Sequence, residues 1–462
     1  MKSRLFLLVS LIFILTGCAT LPGGGSFKLR PYKEVTLKNG LKVLLVKDKS
    51  LPYFSLHLLV KAGSSLDQLA ASGTAALVGK LLDSGTSKRK ALQLADAMGQ
   101  IGSEMNVNVG QDFTMISAST LAEHKKELLK NFAEMVTKPS FPKQEVNRVK
   151  RQVLSRLQRT VDNPGHFASL MFDSYLYGSH PYARRVLGRK RDVKKLRKKN
   201  IIRYYLSYYR PNNSQLAVVG TYGPDVVQDL EEAFGQWRPR KAKRVSFPEV
   251  TGVNGLQIQV INKKDLKQSQ IRLGHPGIKR TNPDYLTLRV ANTILGGAFH
   301  SRLVNEIRDR HGLTYSIRSH FDARKDRGPF MVSTFTRHEK VGKTVKETLN
   351  VIESFREKGV TDREVEDAKA LLLGTFPRAL ETAEHLAKTL LVLRYYKVPD
   401  SYLTDYLKNI AKIETNEVNK VIKNYLQPKN MKILIYSPKE KVLSQLRPIG
   451  LVQIKSYIEF IQ

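Results

Sequence analysis

The chain runs twice through the same order of strands and helices, and that doubling restricts it to folds built from two like halves. The first half opens at Val35 to Val46, where Asn39-Gly40 divides two alternating runs in the manner of a hairpin. Phe54 to Val60, Met105 to Val109, Phe113 to Thr120 and Gln215 to Val219 read as further strands. Helical periodicity covers 72–83, 88–100, 121–136, 144–161, 193–207 and 224–235, ending near Trp237. Residues 238–255 are polar and basic and read as a solvated linker. The second half restarts at Leu256 to Ile261. Helices at 283–295, 300–309, 340–358 and 362–374 follow, with strands at 314–320 and 329–336 and a last one at Lys432 to Tyr436. Strands mixed with helices in this order imply an α+β chain of two homologous domains, 30–237 and 256–462. Each is expected to be a mainly antiparallel sheet covered on one face by helices.

The 462 residues carry 77 Lys and Arg against 41 Asp and Glu, a formal charge of +36. Such an excess first suggests nucleic acid. The basic residues are spread over the whole chain, however, and no zinc-finger, RNA-recognition or helix-turn-helix pattern accompanies the densest run, Arg184 to Lys199. An anionic membrane face or an acidic partner is the expected contact instead, with a generally basic proteome as the plain alternative. At the N-terminus, Lys2 and Arg4 precede an apolar run from Leu5 to Leu15 that is short for a bilayer span. Leu15-Thr16-Gly17-Cys18 resembles a bacterial lipobox, which implies removal of residues 1–17 as a signal peptide and lipidation of Cys18. By analogy with lipoprotein sorting in a Gram-negative host, Ala19 rather than an aspartate after the cysteine implies the periplasmic face of the outer membrane. Residues 18–29 would be the tether, with Leu21 to Ser26 flexible, and attachment through several acyl chains would be stable. Cys18 is the one cysteine, so no intrachain disulfide forms.

Residues 73–86 read Gly-Thr-Ala-Ala-Leu-Val-Gly-Lys-Leu-Leu-Asp-Ser-Gly-Thr. This frame resembles the zinc helix of the insulinase, pitrilysin and mitochondrial processing peptidase family, in which His-x-x-Glu-His stands between the flanking glycine and Gly-Thr. The resemblance puts the two histidines at Ala76 and Lys80 and the catalytic glutamate at Gly79. It puts the third ligand, a glutamate on a later helix, at Arg156. A catalytic zinc needs about three protein donors and one open position. Neither Ala76 nor Gly79 has a donor atom, and Lys80 and Arg156 bring positive charge. The ten histidines contain no pair at helical i, i+3 or i, i+4 spacing. No metal or other cofactor is expected on this chain.

The second half resembles the family's C-terminal signature. Leu295-Gly296-Gly297, Ser301-Arg302-Leu303 and Gly312-Leu313-Thr314-Tyr315 stand in order, and Arg308 and Tyr315 match its Arg/Tyr pair. In the family that pair hydrogen-bonds substrate near the scissile carbonyl, a role suited to two donors facing a developing oxyanion. Glu104 and Asn106 lie in a segment similar to the family's substrate-binding edge strand. The likeness spans nearly all of residues 30–440. It implies two facing domains around a chamber. It also implies a pseudoenzyme that lends Arg308 and Tyr315 to a zinc-bearing partner of the same family, forming a two-chain peptidase that acts on unfolded peptides. The alternatives are a non-enzymatic scaffold or peptide-binding lipoprotein of the same fold, and an autonomous peptidase with an unrecognised site.

Overall fold

The computed structural model describes residues 29–461 except 244, so the expected signal peptide, Cys18 and the expected tether before Leu29 lie outside the described residues. Twelve strands form two six-stranded sheets. The first contains β1 (Lys33–Thr36), β2 (Lys42–Lys47), β3 (Tyr53–Val60), β4 (Asn106–Val109), β5 (Thr114–Leu121) and β6 (Ser214–Gly220), in the order β1-β2-β6-β3-β5-β4. The second contains β7 (Gln257–Asn262), β8 (Ser269–Pro276), β9 (Ile317–Phe321), β10 (Pro329–Thr336), β11 (Lys432–Ser437) and β12 (Leu451–Ser456), in the order β12-β7-β11-β8-β10-β9. From the second place onward the orders match strand for strand. In each sheet a late strand, β6 or β11, enters between the first two long strands, parallel to one and antiparallel to the other. The first place differs: β1 is the antiparallel arm of a hairpin, and β12 is added in parallel by the C-terminal segment.

The hairpin forms where Asn39-Gly40 stands. Gly40 takes φ +82, and the Asn39 amide donates to the carbonyls of Phe234 (2.8 Å) and Trp237 (3.2 Å). The turn is therefore tied to the end of the first half.

Strand alternation divides each sheet between two cores. Val43, Leu45, Leu56, Leu58, Leu216 and Val218 face the helices of their own half. Leu44, Val46, Leu59, Ala217 and Val219 face the other way and pack with residues of the second half. Helix Ala383–Tyr395 lies there, against β2, β3 and β6. The exchange is mutual. Helix Pro164–Tyr177 leaves the first half and covers β8 and β11, where Phe167, Met171 and Phe172 meet Leu434 and Tyr436. The one-face covering expected from the element order is thus incomplete, because each second face is roofed by a helix from the opposite half. Asn163 caps helix Pro164–Tyr177 by accepting from the His166 amide at 3.0 Å, with Pro164 in its first turn. The buried Arg272 guanidinium on β8 donates to Ser169 Oγ (2.9 Å) and to the Gly165 carbonyl (2.7 Å).

Three expectations change. The helix expected over 193–207 is two helices, Lys190–Lys195 and Lys198–Tyr208, separated by extended backbone at Leu196 and Arg197. The strand expected at 314–320 begins at Ile317, because Thr314 Oγ1 bonds the Ser316 amide and carbonyl and holds a turn first. The described residues of 238–255 carry no regular element, but they are not wholly solvated. Val250 and Val253 are buried in the core under helix Pro164–Tyr177, which needs apolar cover on that side.

Candidate functional site

Helix Thr74–Leu81 carries Ala76, Gly79 and Lys80, the positions that the resemblance aligns with the zinc motif. It starts from Gly73 at φ +92, where a Cβ would meet the Leu187 carbonyl at 2.7 Å. Asp67 closes this end by accepting from the amides of Gly73 (2.7 Å) and Ala75 (2.9 Å). Complete burial pushes its carboxyl up to about 7, against the pull of those amides and of Arg184. The helix packs on β4 and on helix Lys143–Arg159, which bears Arg156. Ala76 is buried and Lys80 and Arg156 are exposed. A Cβ at Gly79 would stand 2.7 Å from Val109 Cγ2 and 3.0 Å from Val107 Cγ1. The space a catalytic carboxylate would enter is thus filled by β4. Asp83 feels both Arg148 and Lys80, so the helix pair presents cations on this side. A methyl, a bare backbone, an ammonium and a guanidinium do not fit a zinc ion. Among the described residues no group of three His, Cys, Asp or Glu side chains could hold a metal.

Arg308 and Tyr315 line one open cleft of about 430 Å³. The helix Val304–Arg310 is wound as π-helix, a form often found at functional sites. Gly312, at φ +57, donates its amide to the Arg308 carbonyl (3.1 Å) and turns the chain out of that helix. The Arg308 guanidinium stacks over the Phe299 ring, 4.9 Å from its centroid, and its Nε lies 3.7 Å from Asp309 Oδ1. Tyr315 is 83% exposed, and among the described residues its hydroxyl has no hydrogen-bond partner. The tyrosine is therefore not a core residue. At Gly296 a Cβ would meet the Ser319 amide nitrogen at 2.7 Å, so this glycine serves the close approach of β9. Phe299, 64% exposed, was given no role in the sequence reading. Its signal was position alone, a large apolar residue between Gly-Gly and Ser-Arg-Leu.

β4 is one of the two edge strands of the first sheet, and among the described residues it pairs only with β5. Asn106 is exposed on it, and its amide donates to Glu104 Oε1 at 3.1 Å. The helix bearing Ala76 and Gly79 lies against this strand.

The insulinase family M16 model matches residues 42–190, and the model described as the peptidase M16 inactive domain matches residues 195–372. The chain belongs to the M16 peptidase family. It is 27% identical over 411 residues to a Helicobacter pylori protein named non-peptidase homolog YmxG, covering 87% of this chain and 94% of that one. It is 24% identical to the Bacillus subtilis protein named uncharacterized zinc protease YmxG, over 76% of this chain and 85% of that one. Among solved structures, a peptidase M16 inactive domain from Pseudomonas fluorescens superposes with a TM-score of 0.82 at 29% identity, covering 88% of this chain and 98% of that one. The two sheets with their helices are the M16 two-domain fold, shared with that Pseudomonas fluorescens chain.

Proposed function

We propose that this M16 chain is a lipid-anchored, zinc-less subunit of a two-chain metallopeptidase at the periplasmic face of the outer membrane. It binds unfolded peptide and supplies Arg308 and Tyr315 to the zinc site of a partner from the same family. The observation that carries this reading is an asymmetry. The four slots that should hold and use a metal contain Ala76, Gly79, Lys80 and Arg156, while Arg308 and Tyr315 stand in an open cleft.

Each retained part has a task. The unpaired amides and carbonyls of β4 can take an extended peptide as an added strand, with Asn106 and Glu104 at its outer edge. The Arg308 guanidinium and Tyr315 hydroxyl are donors for a peptide carbonyl whose oxygen gains negative charge as water attacks. Phe299 beneath Arg308 limits the directions in which the guanidinium can point. No proton transfer or metal step is assigned to this chain.

The test is reconstitution with an M16 subunit that keeps its own His-x-x-Glu-His. The purified chain alone is expected to leave peptides uncut, and the pair to hydrolyse them. Arg308→Ala should lower turnover of the pair at least about 10²-fold, the scale of losing one oxyanion donor. Unchanged turnover would sink the assignment. Native purification that yields no zinc-bearing partner would favour the scaffold role instead.

A further inference from the structure

An open cavity of about 560 Å³ lies at one end of the first sheet, where β2 and β6 begin and β3 stops. Lys42 and Gln215 are register partners there, and Lys61 follows the last residue of β3. All three belong to the face roofed by helix Ala383–Tyr395, and Arg394 and Lys397 line the cavity from the end of that helix. The two halves of the molecule therefore meet at one pocket.

Its electrostatics are unbalanced. Lys42, Lys61, Arg394 and Lys397 face only Glu34 and Asp400, a surplus of two positive charges. Both carboxylates are already taken by Arg394, whose Nη2 donates to Glu34 Oε1 (2.5 Å) and Asp400 Oδ2 (3.0 Å). Among the described residues none of the three lysines makes an ion pair or side-chain hydrogen bond. Burial, then Lys42 and Lys397, holds the Lys61 ammonium below the usual lysine range. Among the described residues two polar atoms on the walls lack partners: Arg394 Nη1, and Oε1 of Gln215, a residue only 6% exposed. Lys397 also sits at φ +59, a backbone conformation disfavoured for a non-glycine residue. Converging like charges and an unpaired guanidinium donor are unfavourable in the free protein, and one anion would offset the charges and accept from Arg394 Nη1, while Gln215 Oε1, an acceptor, would need a hydroxyl or water.

We propose that this cavity is a binding site for a phosphate-class dianion, a phosphate monoester bridging Lys42 and Lys61 of the first half to Arg394 and Lys397 of the second. The charge surplus of two matches a phosphate monoester near neutral pH better than a carboxylate. The volume exceeds what a bare phosphate fills, water occupying roughly 30 Å³. The ester's organic part therefore has room beside Leu44 and Val398.

Isothermal titration of the full chain with inorganic phosphate and with phenyl phosphate, at constant ionic strength in chloride, tests the site. Saturable binding is expected, tighter for phenyl phosphate. Lys61→Gln and Lys397→Gln should each weaken it at least about tenfold, the scale of one charge-assisted bond. Arg308→Ala, in the other cleft, should leave it unchanged. Circular dichroism checks folding, and Lys42→Gln, at an exposed position, replaces Lys61→Gln if that variant misfolds. Flotation with phosphatidylcholine vesicles, with and without phosphatidic acid, distinguishes the sources. Lysine-dependent flotation with phosphatidic acid identifies a lipid headgroup, and binding confined to the soluble probes identifies a free phosphate ester. No saturable heat with either probe up to about 10 mM, or affinity unchanged in the lysine variants, overturns the proposal.

Discussion

Gly79 sits inside a helix, where glycine costs about 1 kcal/mol relative to alanine. The cost is accepted because Val107 and Val109 of β4 press against the helix at that point. Valine is stiff at χ1, so an added methyl must push the edge strand rather than a free side-chain end. Overpacking of this kind costs roughly 1–3 kcal/mol, and Gly79→Ala should lower stability by about 1 kcal/mol net, read as the midpoint of urea unfolding. His275 makes a second test at this scale. Its Nε2 accepts from the Gln427 amide at 3.3 Å and its Nδ1 donates to the Pro276 carbonyl at 3.1 Å, so the ring is held neutral. Burial presses its pKa from 6.5 to about 4. A depressed folded pKa means that the unfolded chain takes up the proton first as pH falls. Stability from this group is complete above pH 6.5 and is lost down to pH 4, by up to about 3 kcal/mol. The unfolding free energy of wild type relative to His275→Gln should shrink by that amount between pH 7 and pH 4, and a constant difference would refute the assignment. Arg308 and Tyr315 were legible in the sequence because the motif around them is dense. Phe299 under the guanidinium was not, since ring stacking depends on where the π-wound segment turns.

At the level of elements, the turn between β4 and β5 joins the two halves. The buried Asp112 carboxylate there accepts from the hydroxyl of Tyr182 (2.7 Å), the hydroxyl of Tyr396 (3.3 Å) and the amide of Lys325 (2.9 Å), and its carbonyl accepts from Tyr395 (3.0 Å). Beside it Arg324 lies between the rings of Tyr177 and Tyr182 and pairs with Asp173 (3.3 Å) and Asp322 (2.7 Å). Asp112→Ala leaves two phenols and an amide without an acceptor, and should cost about 3–5 kcal/mol in urea unfolding. A loss under 1 kcal/mol would mean that the junction is held elsewhere. None of this was readable from Gly110-Gln111-Asp112-Phe113, which gives only a turn between alternating runs. Helix Pro164–Tyr177 was missed for a related reason. It buries residues against a foreign sheet and also beneath Val250 and Val253, so its apolar positions do not make one clean stripe.

On the scale of the molecule, mutual exchange of helices makes the halves interdependent. A fragment ending at residue 237 would expose the face of Leu44, Val46, Leu59, Ala217 and Val219, which only the second half covers. The full chain should therefore unfold in one transition by circular dichroism and by tryptophan fluorescence from Trp237. The fragment should bind a hydrophobic dye or aggregate. Two separated transitions would disprove the interdependence.

Local residue patterns pointed to most strands of the first sheet and to the doubled element order, because each rests on residues near one another in the chain. The slots at Ala76, Gly79, Lys80 and Arg156 and the Arg308/Tyr315 pair came from the resemblance to the family, and strand β12 was not foreseen. What covers the second face, what fills the space at Gly79, which groups meet at Asp112, and that Lys42, Lys61 and Lys397 share one cavity were decided only by the tertiary structure. Those pairings join residues hundreds of positions apart, and no periodicity or spacing encodes which distant surfaces will exclude water together.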